Sequence, residues 1–330
     1  MQSIIKKSLD LLSLEQEWSA RYEAYLKDIW DNHEKRSKNF NKPKGLSLYA
    51  TLADRKNMVY QLRFRGQTVG KVKAKKSSID LESEVTAEGE YFKDCPLKKE
   101  DKGKDWNSKE AQAFRSYFYK LDGIVDTNSA EHVVENLLLE EFRKNRAADK
   151  ALTNMCPVLL QGQFFQMPTP FSASGEELKY SRHQGGGIDI LARIKTKTND
   201  CRLCVIEVKD ENKPKESQRK AMTQAIAYAT FIAKLVTEQP KWWEIFSNHD
   251  EEKGDTALNK KHIEVVTVMP TGTTATCEDD DYEIEELGIT LHCRSLYYDD
   301  DKYQAALISS KNSRESLFEF SGTFLNEIKK

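Results

Sequence analysis

Two short apolar segments near the middle of the chain constrain the fold more than any other feature. They read GGGIDILARI over residues 185–194 and RLCVIEVKDE over residues 202–211. Successive side chains of a strand point to opposite faces, and both faces of the second segment are apolar except at Glu207 and Lys209. Such a strand is typical of a sheet that is covered on both sides. The polar residues 195–200 between the segments predict that the two strands form a hairpin.

The elements around this hairpin predict an α/β core. In chain order we expect a helix at Ser129–Asn145, strands at Val158–Gln166, Gly187–Ile194 and Arg202–Lys209, a helix at Lys215–Leu235 and a strand at Ile263–Met269. A further strand at Gly288–Tyr297 and a closing helix at Ser313–Ile328 complete the pattern. The order helix, three strands, helix, strand predicts a central mixed sheet flanked by helices.

The N-terminal third has a different pattern. A helix is expected through about Asn32, a small β unit at Asn41–Leu81 with a hairpin turn at 65–67, and a short helix after Ser108. For 330 residues a prior of about 150 residues per domain gives two domains. We therefore predict an N-terminal helical and β-hairpin domain over residues 1–125 and a second domain over residues 126–330.

The two acidic residues of the central hairpin require an explanation. Asp189 and Glu207 would lie on neighbouring buried strands, where an unpaired carboxylate costs several kcal/mol and two carboxylates repel each other. A divalent cation removes both problems, and Mg²⁺ in particular binds one or two carboxylates together with water and phosphate oxygens. The alternative is a Glu207–Lys209 ion pair, with Asp189 at a strand end and no metal.

Asp189, followed 18 residues later by Glu207-x-Lys209 on the next strand, resembles the PD-(D/E)XK, or restriction endonuclease-like, nuclease superfamily. The proline that usually precedes the aspartate in this family is replaced by Ile188. The resemblance covers about Ser129–Met269. It implies a restriction endonuclease-like core and hydrolysis of DNA phosphodiester bonds with Mg²⁺ or Mn²⁺, for example in restriction, repair or defence against mobile elements.

The resemblance also implies a role for each residue of the motif. Asp189, Glu207 and the main-chain carbonyl of Val208 would ligate the metal. Lys209 would orient or help to deprotonate the attacking water and stabilise the developing charge.

Two further pairs of residues resemble parts of the family's site. A carboxylate on the helix before the sheet would assist the metal; Glu135 fits this role best because of its apolar neighbours, and Glu131 is the alternative. Gln224 and Tyr228 are four apart on one helical face and resemble the Gln-x-x-x-Tyr motif of related nuclease domains, where the pair lines the active site. In each case the alternative is ordinary packing or a solvated helix flank.

The N-terminal β unit is a candidate nucleic-acid surface. Between Asn41 and Lys76 there are ten Lys or Arg and one acidic residue, Asp54. Cationic and aromatic side chains alternate along the predicted hairpin: Arg63 and Arg65 share a strand face, as do Lys71 and Lys73, and Tyr60 and Phe64 are interleaved. This pattern favours contact with phosphates, and the alternative is a solubilising face.

Three other cations belong to the same prediction. Lys213 and Lys215 precede the helix after the second acidic strand, where cations oppose the helix dipole unless an anion binds there. Arg182 precedes Gly185–Gly187, a glycine-rich and mobile approach that is expected to shape substrate entry.

Composition limits the remaining alternatives. The net charge of −2 means that any nucleic-acid surface depends on local segregation of charge. No apolar run of membrane-spanning length and no signal-peptide core is present, so we expect a cytoplasmic protein without a membrane partner. The glycine run precedes a strand instead of opening a helix, which argues against a dinucleotide-binding dehydrogenase. A non-catalytic nucleic-acid-binding protein, an RNA-directed nuclease and a homodimer stay open as alternatives.

Overall fold

The computed structural model describes most of the chain: residues 1–36, 46–54, 57–74, 79–86, 92–121, 130–143, 154–160, 162–173, 175, 177–182, 185–198, 200–209, 217–247, 257–273, 278–299, 318–321 and 324. These residues form six α-helices: α1 (Gln2–Leu14), α2 (Glu17–Arg36), α3 (Lys109–Leu121), α4 (Ala130–Arg143), α5 (Gln218–Glu238) and α6 (Lys241–Ser247). None of the helices in these ranges is long and apolar enough to cross a membrane.

The strands of the described residues are, in chain order, β1 (Ser47–Asp54), β2 (Asn57–Phe64), β3 (Gln67–Ala74), β4 (Ile79–Ser83), β5 (Lys104–Asp105), β6 (Met155–Pro157), β7 (Leu159–Leu160), β8 (Gln163–Gln166), β9 (Phe171–Ser172), β10 (Lys179–Tyr180), β11 (Ile190–Lys195), β12 (Cys201–Val208), β13 (Leu258–Pro270), β14 (Asp280–Ile284), β15 (Ile289–Tyr298) and β16 (Phe318–Phe320). They form two seven-stranded sheets, and β9 and β10 form a separate pair. The chain is therefore a mixed α/β protein.

The first sheet has the strand order β5-β4-β3-β2-β1-β8-β7. The predicted hairpin is confirmed, because β2 and β3 pair in antiparallel fashion through the turn at Arg65 and Gly66. The single strand predicted at Val158–Gln166 is wrong: the chain turns at Gly162, and β7 and β8 pair with each other. Strand β8 then lies parallel to β1, so a segment from beyond the predicted domain boundary completes the first sheet. Residues 122–129, where that boundary was placed, lie outside the described residues.

The second sheet has the order β14-β15-β13-β12-β11-β6, and β16 pairs with β15. The predicted central hairpin is confirmed, since β11 and β12 are antiparallel and pair from Ile190 with Ile206 to Lys195 with Cys201. Strands β12, β13 and β15 are parallel, as the crossover through α5 requires. The sheet is therefore mixed, as predicted.

Two predictions at the C-terminal end are wrong. The helix predicted at Ser313–Ile328 is wrong at Phe318–Phe320, which form strand β16. Most of the other residues of that range lie outside the described residues. The acidic run Glu278–Asp281, whose sequence predicts a loop, is partly a strand, since Asp280 and Asp281 belong to β14.

Apolar side chains cover both faces of β12, as its sequence predicts. Leu203 and Val205 belong to the core cluster that contains the buried alanines of α5, and Cys204 and Ile206 belong to the cluster that contains Val134 and Leu138 of α4. Ile188 departs from the predicted alternation and lies in the same cluster as Leu191, because β11 begins only at Ile190. The sheet is thus enclosed between α5 and α4.

Candidate metal centre

The candidate site lies where the central hairpin begins and ends. Asp189 immediately precedes β11 and Glu207 is the second-last residue of β12, so the antiparallel pairing brings the two residues to one edge of the sheet. The first turn of α4 adds Glu131 to them. One carboxylate oxygen from each of the three residues lies within 4.8 Å of the other two.

Hydrogen bonds hold these side chains in place. The backbone N–H of Val208 donates to Asp189 Oδ2 at 2.8 Å. Lys209 Nζ donates to Glu207 Oε1 at 2.7 Å and lies 3.6 Å from Glu131 Oε1. The N–H and the carbonyl of one strand residue point to the same edge, so the Val208 carbonyl also faces the Asp189 side. The four predicted motif residues, Asp189, Glu207, Val208 and Lys209, therefore lie together at this edge of the sheet.

Burial makes this cluster electrostatically costly when it holds no cation. Glu207 is 1% exposed and Lys209 is 8% exposed, and Glu207 Oε2 is buried with no hydrogen-bond partner among the described residues. Burial, with a further contribution from Glu131, raises the pKa of Asp189 to about 7. Burial and the neighbouring Asp189 also raise the pKa of Glu207.

Lys209 has the opposite electrostatic environment. Burial alone would lower its pKa, but the surrounding Glu207, Asp189 and Glu131 outweigh burial and raise the pKa of the ammonium group. Lys209 therefore holds its proton. One lysine faces three carboxylates, and this excess of negative charge is what a divalent cation neutralises.

The donor set fits a hard metal ion. Carboxylate oxygens are the ligands that Mg²⁺ and Ca²⁺ prefer, and opposite ligands are about 4.1 Å apart around Mg²⁺ and about 4.9 Å apart around Ca²⁺. The three carboxylate oxygens all lie within 4.8 Å of one another, which is the range that the ligands of one such ion span. The three carboxylates could hold a metal ion.

Glu135, the preferred helix carboxylate of the sequence prediction, does not belong to this group. Its Oε1 lies 3.4 Å from Arg63 Nη1, its Oε2 lies 3.2 Å from His132 Nδ1, and the residue is 1% exposed. Glu131, the alternative, occupies the cluster instead. The two are four residues apart on one helical face, and only Glu131 lies in the first turn, next to the end of the sheet.

Gln224 and Tyr228 lie beside the cluster, on the α5 side of the sheet. Gln224 Nε2 donates to the Tyr228 hydroxyl at 3.3 Å, and both residues are buried. Burial and the neighbouring Glu207 raise the pKa of Tyr228. Gln224 Oε1 is buried without a hydrogen-bond partner in the described part of the chain. Tyr228 therefore adjoins the candidate site, and Gln224 contacts Tyr228.

The glycine run, which was expected to be a mobile approach, packs closely against neighbouring residues. Gly186 N–H donates to the Phe171 carbonyl at 2.6 Å, and the Gly186 carbonyl accepts from Thr169 N–H at 2.8 Å. A Cβ added at Gly186 would overlap the hydroxyl of Tyr228. Glycine is needed here because the backbone approaches Tyr228 so closely.

The hairpin of the first sheet differs from the predicted phosphate-binding surface. Arg63 is 4% exposed and its guanidinium lies 4.1 Å from the ring centre of Tyr49. Tyr60 and Phe64 are fully buried, so the prediction that they are interleaved with exposed cations is wrong. Arg65 does not share the Arg63 strand face, since it lies in the turn with a φ of 46°.

The remaining predicted cations are on the surface or outside the described residues. Lys71 pairs with Glu84 at 2.6 Å, and Lys73 pairs with Glu82 at 2.8 Å. Arg182 is exposed and lies 3.6 Å from Glu15. Lys213 and Lys215 lie outside the described residues. Nearby carboxylates therefore compensate much of the charge of the lysines on β3.

Sequence reasoning missed His132 and the inward role of Arg63. The only local signal is the spacing of His132 and Glu135, which are one helical turn apart. Comparisons of the chain with protein-family models, with curated proteins and with solved structures found no match.

Proposed function

We propose that this chain is a metal-dependent nuclease that hydrolyses DNA phosphodiester bonds with Mg²⁺ or Mn²⁺. One observation carries the proposal: carboxylate oxygens of Glu131, Asp189 and Glu207 converge within 4.8 Å, and Lys209 donates to Glu207 beside them. The same Asp…Glu-x-Lys pattern carries the resemblance to the PD-(D/E)XK superfamily.

The topology around the site supports the proposal. Helix α4 precedes three antiparallel strands, β6, β11 and β12, and α5 then leads to β13, which is parallel to β12. This is the mixed sheet between helices that the restriction endonuclease-like core implies. The convergence lies at the carboxyl end of β12, the end at which open α/β sheets commonly bind ligands.

A simple ion pair does not explain the cluster. Lys209 satisfies Glu207 Oε1, but Asp189 and Glu131 also lie within reach, so one ammonium group faces three carboxylates. Such an excess of negative charge at a buried site calls for a further cation. A divalent cation would bind the remaining carboxylate oxygens and would also remove the repulsion among the three carboxylates.

Each residue has a task in the proposed reaction. Glu131, Asp189, Glu207 and the Val208 carbonyl would hold the metal, which when bound polarises the phosphate and lowers the pKa of a coordinated water. Lys209 keeps its proton, so its ammonium group orients a water by hydrogen bonding and stabilises negative charge on the attacked phosphate. The Val208 N–H holds the Asp189 carboxylate in place, and Lys209 holds that of Glu207.

The test is cleavage by the full chain of circular duplex DNA, linear duplex DNA, single-stranded DNA and RNA, with Mg²⁺, Mn²⁺ or a chelator. We expect cleavage of DNA with either metal and none with the chelator. Asp189→Asn, Glu207→Gln and Lys209→Gln should each lower the rate by about 10³-fold, equivalent to roughly 4 kcal/mol of transition-state stabilisation. The matched control is Glu264→Gln, a buried glutamate of the same sheet that pairs with Arg202 at the other end of the strands.

Three outcomes would contradict the proposal. Intact substrates with both metals would rule out the nuclease. Cleavage of RNA alone would replace DNA as the substrate. Salt-sensitive DNA binding without cleavage, unchanged by Glu207→Gln, would identify a non-catalytic nucleic-acid-binding protein.

A further inference from the structure

The hairpin of β2 and β3 touches the start of α4 at two points. The Arg63 side chain reaches Glu135, and the backbone of Gly66 lies against the backbone of His132. Glu131, the helix member of the carboxylate cluster, is the residue next to His132. We propose that this hairpin positions the metal centre: it sets the distance and rotation of α4, so that Glu131 reaches Asp189 and Glu207.

Helix geometry connects the two glutamates. Residues four apart lie on one face, separated by about 6 Å along the axis at 1.5 Å per residue. A rotation of α4 that aims Glu131 at the strand ends therefore also turns Glu135 inward, where it is 1% exposed. A carboxylate at that depth needs a cation or several donors, since its burial otherwise costs several kcal/mol. Arg63 and His132 supply those contacts.

Arg63 can act as a fixed point because its own sheet holds it. The guanidinium stacks on Tyr49 of β1, Nη2 donates to Gln61 Oε1 at 3.0 Å, and Nη2 also donates to Gln166 of β8. Its planar group thus has contacts on three neighbouring strands before it reaches Glu135. Displacement of α4 would therefore break the ion pair between Arg63 and Glu135, because Arg63 cannot move with the helix.

Gly66 sets the distance. Its φ is +85°, and an added Cβ would lie 2.5 Å from the His132 Cβ and would overlap the His132 carbonyl oxygen. No side chain fits between the turn and the helix, so the two backbones are in direct contact. The ion pair controls rotation and this contact controls approach, and both act on the turn of α4 that carries Glu131.

This assignment differs from phosphate binding by Arg63. A phosphate contact needs an accessible guanidinium, whereas Arg63 is 4% exposed and its Nη1 and Nη2 are engaged inside the protein. A positioning residue instead alters metal binding when no nucleic acid is present. The inference rests on the proposed function only in requiring that the cluster binds a divalent ion.

The experiment measures Mn²⁺ affinity of the full chain by calorimetry, without nucleic acid. Arg63→Met and Gly66→Ala are each expected to weaken binding by about 10–100-fold, the usual effect of removing a group that orients a metal ligand.

Each variant has a matched control. The control for Arg63 is Arg115→Met, because the Arg115 guanidinium on α3 also lies 4.1 Å from a ring centre, that of Trp106. The control for Gly66 is Gly162→Ala, which also has a positive φ but whose added Cβ meets no atom of the described chain within 4 Å. Both controls should bind Mn²⁺ within about twofold of wild type, well under 1 kcal/mol.

A double-mutant cycle separates positioning from general damage. If Arg63 acts through Glu131, then Arg63→Met should add little to the loss of Mn²⁺ affinity already caused by Glu131→Gln. The two losses are then not additive, because both substitutions remove the same ligand from the metal. Should Arg63→Met fail to fold, Glu135→Gln, which keeps the side-chain shape, provides the same comparison with Glu131→Gln.

The outcomes are distinguishable. Wild-type Mn²⁺ affinity in both Arg63→Met and Gly66→Ala, or losses fully additive with Glu131→Gln, would overturn the positioning role while leaving the nuclease proposal intact. Equal losses in the two controls would also overturn it. Absence of Mn²⁺ binding by the wild-type chain would overturn the metal centre and the positioning role together.

Discussion

The second sheet buries charged side chains at both ends of its parallel strands, but the two ends are built differently. Towards the starting end, three of the described carboxylates each meet an arginine. Arg202 lies 2.9 Å from Asp200 and 2.7 Å from Glu264, and Arg294 lies 2.8 Å from Asp281. This end therefore has two arginines for three carboxylates, and each carboxylate lies within 3 Å of a guanidinium.

At the finishing end three carboxylates share one lysine. Glu131, Asp189 and Glu207 converge around Lys209. Buried charge alone therefore says little about function, because the starting end has as much of it. An uncompensated excess of acid is the informative feature, because a bound cation would remove its electrostatic cost.

The largest expected difference between the ends is their response to metal. Mn²⁺ at a hundred times its dissociation constant should raise the free energy of unfolding of wild type by about 2.7 kcal/mol. Glu207→Ala should abolish this gain, and Glu264→Gln should keep it because its glutamate faces Arg202. Urea denaturation with and without Mn²⁺ measures both. An equal gain in Glu207→Ala would remove the distinction between the ends.

In the metal-free protein, removal of one charge should have opposite signs at the two ends. Asp189→Asn should stabilise the protein at pH 8 by on the order of 2 kcal/mol, because it removes a carboxylate whose ionisation is opposed in the folded state. Glu264→Gln should destabilise it by about 1–3 kcal/mol, because Arg202 loses a charged partner. Urea denaturation in a chelator measures both; destabilisation by Asp189→Asn would mean that the cluster is already neutralised by protein groups.

The pH dependence should also differ in sign. The pKa of Asp189 rises from 3.8 to about 7 on folding, so its contribution is fully present below pH 3.8 and is lost as the pH rises through about 7. In a chelator this group lowers the free energy of unfolding by at most about 1.4 kcal/mol per pH unit within that window. Asp189→Asn should reduce this slope between pH 5 and 8 and leave the part that comes from Glu207, whose pKa is also raised by burial. Mn²⁺ affinity should rise over the same range, because the ion displaces a proton. A metal affinity independent of pH would exclude Asp189 as a ligand.

The smallest effect is expected from the histidines of the starting end. His262 Nδ1 lies 3.0 Å from His292 Nε2, and burial lowers the pKa of both residues. A lowered histidine pKa means that stability is present above the ordinary value of about 6.5 and is lost as the pH falls below it, by about 1 kcal/mol or less per group. His292→Gln should flatten the acid limb between pH 5 and 7 and leave the alkaline slope of Asp189 unchanged. A change in the alkaline slope would show that the ends are coupled.

Local patterns predicted the parts of the site that lie within single elements. The alternation along residues 202–209 places Glu207 and Lys209 on one face, and the short polar connection predicts the hairpin that brings Asp189 beside them. The spacing of Gln224 and Tyr228 likewise predicts one helical face, which the hydrogen bond between them confirms. These features depend on strand and helix periodicity, which can be read directly from the spacing of residues in the sequence.

The errors fall where distant segments compete for one position. Strand β8 reads as part of the central sheet but pairs with β1, because pairing depends on which edge is available and not on the strand's own residues. Arg63 reads as an exposed cation because its sequence neighbours are polar and basic, yet its burial is set by Glu135, which is 72 residues away.

The sequence by itself therefore determined the acidic hairpin, its buried strands and the helix that follows them, since local periodicity specifies all three. Only the tertiary structure decided that Glu131, and not Glu135, joins Asp189 and Glu207. Both glutamates occupy one helical face and are equivalent in pattern. Their difference comes from the docking of α4 against the first sheet, where Arg63 takes one carboxylate and leaves the other at the strand ends.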